Sequence, residues 1–391
     1  MTPCKVTVAY YLLLATYYKL MNLPKITDLD IKNKRVLVRA DLDVPLKEAI
    51  NSDKSRSFEI LDDSRLRTMV KTVRYLVDSG ARDILIIGHI GRFEGENTGI
   101  STGALWGRIS ELIDRGTTSF WPDISEGLPG ELNIEEDGKI GLMENLRMWK
   151  FEEENSQEFA KRLASGADLY VNEAFASSHR LHASIAALPF QFKSKFKSKS
   201  KNSTAVGFHF QKEVENLSKV IENPKRPLVV LISGIKRDKV KMAKELTKIA
   251  DKVLVGGKLP KYFGDTKVDP EKMVMADLTF EGFDITLNSI ERFKKEIKEA
   301  GTIVLAGVLG KYEDEGHRQG TKEVFTAVAE SNAFKIAGGG DTEAALTMLS
   351  LTSKFDWISV GGGAMLEFLA SGTLPGIEAL KKRANINVER R

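Results

Sequence analysis

Short apolar, β-branched runs, each closed within a residue or two by Gly, Asn or Asp, constrain this chain more than any other feature. They stand at Arg35–Ala40, Asp83–Ile87, Lys139–Met143 and Leu169–Val171, and again at Leu228–Ile232, Lys252–Val255, Thr302–Leu305, Phe334–Ala337 and Trp357–Val360. Between them the apolar residues fall at helical spacing, as at Leu66, Val70, Val73, Leu76 and Val77. Near-continuous apolar runs are the mark of strands buried on both faces, and parallel strands need helical crossovers between them. The pattern predicts an α/β fold of two doubly wound parallel-sheet, Rossmann-like domains, with ligands at the carboxyl ends of the strands.

A length of 391 residues suits two or three domains, each with its own core. Apolar residues at 42% and charged residues at 29% exclude disorder and coiled coil as whole-chain classes. The formal net charge of +4 gives no sign of a dedicated nucleic-acid binder. One cysteine, Cys4, rules out an intramolecular disulfide framework, so a reduced, cytoplasmic compartment is expected. The apolar stretch Val6–Tyr18 is too short for a bilayer span of about 20 residues, and no Ala-x-Ala-like cleavage site follows it. Residues 1–20 are therefore expected to be an upstream extension, with Met21 the natural start, and no membrane partner is expected.

Residues 192–201 read FKSKFKSKSK. Lysines at period two would line one face of an extended chain as a phosphate-seeking patch, or form a solvated loop kept open by like charges, which is the expectation adopted. The following Lys212–Asn223 reads as a helix closed by Asn223-Pro224 and suits a hinge between domains.

The second half is rich in glycine turns after strands. AGGGDT at 337–342 leads into EAALTML, and VGGGA at 360–364 leads into MLEFLA. Glycine lets backbone N–H groups approach an anion, and the following helix directs its positive dipole end at it. Asp341 either holds a magnesium ion beside phosphates or caps its helix. With Lys236 and Lys239 after a third strand, nucleotide phosphate binding is the better reading, although no P-loop is present. The first half instead sets basic residues beyond its strands: Arg65, His89, Arg92, Arg147, His179 and Arg180. Guanidinium forks bind phosphate and carboxylate in bidentate fashion, so their recurrence predicts one anion pocket. His179 and His182 lack a third ligand, which argues against zinc.

These residues resemble phosphoglycerate kinase, in an archaeal style. The matching stretches are KRVLVRADLDVP, IIGHIGR, MENLR, DLYVNEAFASSHRLHAS, ENPKRPL, GTIVLAGVLGKYE, GGGDT and GGGAMLEFLASGTLPGIEAL. The resemblance implies reversible phosphoryl transfer between 1,3-bisphosphoglycerate and ADP, giving 3-phosphoglycerate and ATP. It implies a 3-phosphoglycerate domain at 21–205, a hinge helix region at 206–224, a Mg-ADP/ATP domain at 225–378, and a segment at 379–391 returning to the first domain. A monomer is expected. The alternative is a family-like binding protein that has lost turnover.

By the same resemblance, Asp41, Leu42, Asp43, Arg65, His89, Ile90, Gly91, Arg92, Arg147 and Arg180 would bind the glycerate substrate. Arg65, Lys236 and Lys239 would be catalytic. Lys239, Glu313, Gly339, Gly340, Asp341, Thr342, Gly361, Gly362 and Gly363 would bind nucleotide, with Asp341 at the Mg²⁺. The sequence departs from the pattern at Asp43, where asparagine is usual, in a lysine loop one residue shorter, at Ala306 and Val308, and at Phe93.

Overall fold

The computed structural model describes residues 23–50, 56–91, 99–115, 118–123, 139–195, 202–237, 239–264 and 268–381. The expected extension at 1–20, Arg92, Phe93, residues 196–201 and residues 382–391 lie outside them. The chain divides into two compact units. One takes in the described residues as far as Glu213 and those from Leu374 onward, and the other is Val214–Thr373.

In the first unit the strands are β1 (Arg35–Arg39), β2 (Leu46–Ile50), β3 (Arg56–Ile60), β4 (Asp83–Ile87), β5 (Thr118–Trp121), β6 (Lys139–Met143), β7 (Leu169–Asn172) and β8 (Thr204–Val206). Six of them form one sheet in the order β5-β6-β4-β1-β7-β8, all pairs parallel. β2 and β3 make a separate antiparallel hairpin. Strand β1 is buried along its whole length, because helices cover both faces of a parallel sheet. Helix α1 (Ser64–Asp78) packs Leu66, Met69, Val73 and Leu76 on it, one residue in each turn of a 3.6-residue repeat. The strand order reverses between β1 and β7, so a ligand crevice belongs at their carboxyl ends.

The second unit repeats the device. Strands β9 (Leu228–Ile232), β10 (Lys252–Val255), β11 (Met273–Met275), β12 (Thr302–Ala306), β13 (Phe334–Gly338) and β14 (Trp357–Ser359) lie in the order β11-β10-β9-β12-β13-β14, again all parallel. Here the reversal falls between β9 and β12. The two six-stranded parallel sheets bear out the expected fold class.

Strands β1, β7, β12 and β13 end one residue away from their expected positions, and three other segments also differ from the sequence reading. The strand expected to run through Val360 ends at Ser359. The helix expected over Lys212–Asn223 is α2 (Phe208–Glu222), which starts four residues earlier. Its first turn is held by Glu173, 36 residues upstream of His209. Glu173 Oε1 accepts from the His209 amide and Oε2 from the Phe210 amide, each at 3.0 Å. Oε1 also accepts the Thr72 hydroxyl of α1 at 2.6 Å. A carboxylate at a helix N-terminus satisfies donors that the helix itself leaves orphaned. A side chain on Gly207 would lie 2.2 Å from Glu173 Oε2, so only glycine lets the cap close.

The lysine-rich tract is the third. Its start is not a solvated loop but the end of a helix, Leu188–Lys195. Phe192 is fully buried and its ring stands 5.8 Å from that of Tyr170. The Lys193 amine donates to the Ala379 and Lys381 carbonyls at 2.6 and 2.7 Å, and burial pushes its pKa down to about 8. Those carbonyls close the short C-terminal helix Pro375–Leu380, which rests on the π-helical turn Ala183–Ala187.

Removing the Glu173 carboxylate would leave a hydroxyl and two helix amides without their acceptor. Loss of one such partner costs about 1–3 kcal/mol, so Glu173→Ala is expected to lose about 3 kcal/mol in urea unfolding. A midpoint shift worth less than about 1 kcal/mol would contradict the capping role.

Candidate active site

At the end of β1, Arg39 is fully buried. Its Nε donates to Ser184 Oγ at 2.8 Å, and Nη2 donates to His89 Nδ1 at 2.7 Å. A third bond goes to the Ala40 carbonyl. A guanidinium has only donors, so His89 Nδ1 accepts and the neutral ring carries its proton on Nε2. Burial, and then the charge of Arg39, hold the His89 pKa well below the ordinary value. His182, whose ring centroid lies 6.2 Å from that of His89, is pushed down to about 3 by burial and the nearby arginines. Both rings are therefore held neutral, and only that of His89 is hydrogen-bonded to Arg39. Glu152, without exposure, accepts the Ser184 amide at 2.9 Å and the Ser184 hydroxyl at 2.5 Å.

Two residues on, Asp41 is buried and neither of its carboxylate oxygens has a hydrogen-bond partner. Arg65, on the first turn of α1, stands 3.9 Å from it and donates to the Asp43 carbonyl at 2.7 Å. The Asp43 carboxylate accepts the Gly91 amide at 2.9 Å and lies 3.7 Å from the same guanidinium. Its extra negative charge is thus answered by one donor and one cation. Gly91 takes φ +67°, where a side chain would be strained. Arg147 is buried, donates to the Gly91 carbonyl, and has its pKa lowered by burial and by Arg180. Arg180 is exposed.

Asp43, Arg65, Gly91 and Arg147 are therefore tied together by hydrogen bonds, Asp41 lies 3.9 Å from Arg65, and His89 is held separately by Arg39. Leu42 and Ile90 carry core side chains, and both backbone groups of Ile90 are taken by Asn145. Arg39, Glu152 and Ser184 escaped the sequence reading. The one signal was a charged residue closing the apolar run of β1.

In the other unit a cleft of about 450 Å³ opens at the ends of β9 and β12. Lys236, Lys239, Glu313 and Asp341 line it, with Lys258, Tyr312 and Phe283, which sequence reasoning missed. Lys239 opens the helix Lys239–Leu246, and its amine donates to the Ser233 carbonyl at 2.7 Å. The shortened lysine loop thus still brings both lysines to one cleft. A side chain on Gly307, at φ +109°, would lie 2.2 Å from the Ser233 carbonyl oxygen, so glycine is needed for the two loops to meet. Val308 contributes its carbonyl, which accepts the Ser233 hydroxyl at 2.5 Å.

The glycine turns sit beside the cleft. Gly340 and Gly362 open the helices Gly340–Met348 and Gly362–Ser371, and a side chain on Gly362 would stand 2.7 Å from Gly339 Cα. Gly339, Gly340 and Gly361–Gly363 do not line the cleft itself. Thr342 is buried, its hydroxyl accepting the Gly307 amide at 2.8 Å. Asp341 and Glu313 are exposed.

A family model described as phosphoglycerate kinase matches residues 26–268 and 265–372. The chain belongs to the phosphoglycerate kinase family. It is 34% identical to the phosphoglycerate kinase of Dictyoglomus turgidum over 91% of this chain and 98% of that protein. The phosphoglycerate kinase of Acidobacterium capsulatum is 35% identical over 92% and 99%. Among solved structures, the phosphoglycerate kinase of Coxiella burnetii superposes with a TM-score of 0.71 at 29% identity, covering 92% of this chain and 98% of that one. That of Pyrococcus horikoshii OT3 gives 0.74 at 25% identity with the same coverage. Membership makes the chain a phosphoryl-transferring enzyme of glycolysis.

The Asp41 carboxyl pKa is raised, first by burial, against the opposing charges of Arg65 and Arg39. The native state therefore holds this proton more tightly than the unfolded chain does. The stability this confers is present below the unfolded pKa and lost as pH rises through the native one. Wherever the pH exceeds the native pKa, an ionised Asp41 destabilises the fold, and pH 7.5 is the condition chosen for the test. Asp41→Asn is expected to raise the melting temperature there, by about 2–4 °C for each kcal/mol relieved, while weakening substrate binding. A melting temperature that fell at pH 7.5 would refute this.

Proposed function

We propose that the unit built on β1–β8 binds 3-phosphoglycerate or 1,3-bisphosphoglycerate and that Val214–Thr373 binds Mg-ADP or Mg-ATP. The observation that carries this reading is the pair of unlike anion sites, each at the point where its sheet reverses. One gathers guanidinium and imidazole groups around an orphaned carboxylate, fit for a small anion with a hydroxyl. The other is a larger cleft lined by lysines and flanked by glycine turns and helix N-termini, fit for a nucleotide.

In the assignment, Arg147, Arg180 and His89 hold the phosphate and carboxylate of the glycerate, and Asp41 accepts from its hydroxyl. Hydroxyl donation would give one of the two unpartnered oxygens of Asp41 the partner it lacks. Glu313 accepts from the ribose hydroxyls, and the amides of the two glycine turns meet phosphate oxygens. Asp341 fits Mg²⁺, which takes few carboxylates and completes its shell with phosphate oxygens and water. When bound, the ion would neutralise nucleotide phosphate charge. Among the described residues no cluster of three or more His, Cys, Asp or Glu is placed to hold a metal by itself, as suits an ion that arrives with the nucleotide.

The chemistry needs no general base. ATP gives its terminal phosphoryl group to a carboxylate oxygen already ionised, and in reverse the carboxylate leaves without a proton. Positioning and charge neutralisation remain, which cations and backbone amides supply. We further place the enzyme in the cytoplasm as a monomer, with no nucleic-acid or membrane partner. Among the described residues no helix is long and apolar enough to cross a membrane.

Arg65 and Lys239 are assigned to the transferring phosphoryl group. Interactions made only in the transition state appear in turnover, so Arg65→Ala and Lys239→Ala are expected to lower kcat by roughly 10²–10³-fold. Arg147→Ala is expected instead to raise the KM for 3-phosphoglycerate. Steady-state kinetics with 3-phosphoglycerate, ATP and Mg²⁺ test all three. If Lys236→Ala lost turnover and Lys239→Ala did not, the lysine roles would be exchanged. If neither lysine mattered, the nucleotide assignment would fail.

A further inference from the structure

We propose that Lys193 is a positioning residue for the reaction: by holding the final carbonyls of the C-terminal helix, it seats that helix against the loop and turn that orient the basic groups of the glycerate site.

The last carbonyls of a helix have no partner within it. At the end of the helix Pro375–Leu380 two carbonyls, that of Ala379 and that of the capping residue Lys381, converge on one amine, that of Lys193. This lysine is itself fixed. Its helix is anchored by fully buried Phe192, and its amine lies 5.3 Å from the centroid of the Phe190 ring. The side chain of Lys381 pairs with Glu378 in the same turn, leaving the carbonyls to Lys193.

The seated helix touches the parts of the unit that carry the site. The Gly376 amide donates to the Ser178 carbonyl at 2.9 Å, and a side chain on Gly376 would lie 2.6 Å from Ser178 Oγ. Ser178 directly precedes His179 and Arg180. The same added side chain would meet Ile185 at 3.1 Å, on the turn whose Ser184 joins Glu152 to Arg39. Arg39 in turn fixes His89. Thus Lys193, which lies in none of the motifs of the family resemblance, reaches Arg180 in one direction and His89 in the other.

This inference rests on the assignment of 3-phosphoglycerate to this unit. The test compares Lys193→Met, Lys193→Gln and Lys193→Arg in the full chain, with Ile113→Val as a core change in the same unit. Two readouts are taken: the KM values for 3-phosphoglycerate and ATP, and hydrogen exchange of the peptide Leu374–Lys381. Lys193→Met is expected to raise the KM for 3-phosphoglycerate at least fivefold, keep that for ATP within twofold, and speed exchange in the peptide. Lys193→Arg, which keeps a cation with donors for both carbonyls, is expected to restore both readouts. If Lys193→Met does not fold, Lys193→Gln is read by the same criteria. An unchanged KM for 3-phosphoglycerate would overturn the proposal, as would an equal rise in both KM values or the same rise in Ile113→Val. A parent enzyme that failed to saturate with 3-phosphoglycerate would instead refute the substrate assignment.

Discussion

A guanidinium with no exposure sits at the end of the central strand β1, and much of the first unit is arranged to keep it satisfied. Burying an unpaired charge costs several kcal/mol, and such a group is tolerated only when its donors are met. Arg39 meets this demand with His89, Ser184 and the Ala40 carbonyl. Each partner is drawn from a different element, so one charge ties the ends of β1 and β4 to the π-helical turn. Glu152 completes the set by fixing Ser184 from the other side. Its own pKa is raised by burial against the charge of Arg39, so the two opposite groups moderate each other within the core.

This network explains why the basic residues at the site have unlike behaviour. Arg39 is buried and fixed, so it sets geometry and holds His89 in place. Arg65 is partly exposed and Arg180 is exposed, which leaves them able to reach a ligand. Asp41 is the reverse case, a buried acceptor with Arg65 3.9 Å away but no hydrogen bond to either oxygen. Polar groups left in that state mark places where stability has been given up for binding.

How much of this was legible depended on the range of the interaction. Strands such as Asp83–Ile87 and Leu228–Ile232 matched the sequence reading residue for residue, because a run buried on both faces writes its own boundaries. The hairpin β2–β3 was not legible: nearly all its residues are exposed or half-exposed, so no alternation separates an inner face from an outer one. The short strands β5, β8 and β11 lie at sheet edges and span only three or four residues, too few to show a pattern. The start of α2 was missed because its cap, Glu173, comes from a distant loop. Lys193 was misread because nothing nearby in sequence announces two carbonyl acceptors 186 and 188 residues later. Local pattern reports burial well and long-range hydrogen bonding hardly at all.

The same distinction separates the two sites chemically. The cleft proposed for the nucleotide is lined by lysines beyond strands and flanked by glycine turns, groups the sequence displays openly. Glycine there serves close approach of backbone, as between Gly307 and Ser233 or Gly362 and Gly339. Amides presented in this way need no buried charge, and no network has to be assembled to support them. A large polyanion with its own metal can be held by such a surface. A three-carbon acid offers far less area, so its recognition falls to a few charged side chains whose placement must be rigid. Rigidity in that case comes from desolvated ions locked by specific partners, and those partners are scattered along the chain. On the proposed assignment the small ligand demands the more deeply supported site, and that site is the one a sequence displays least.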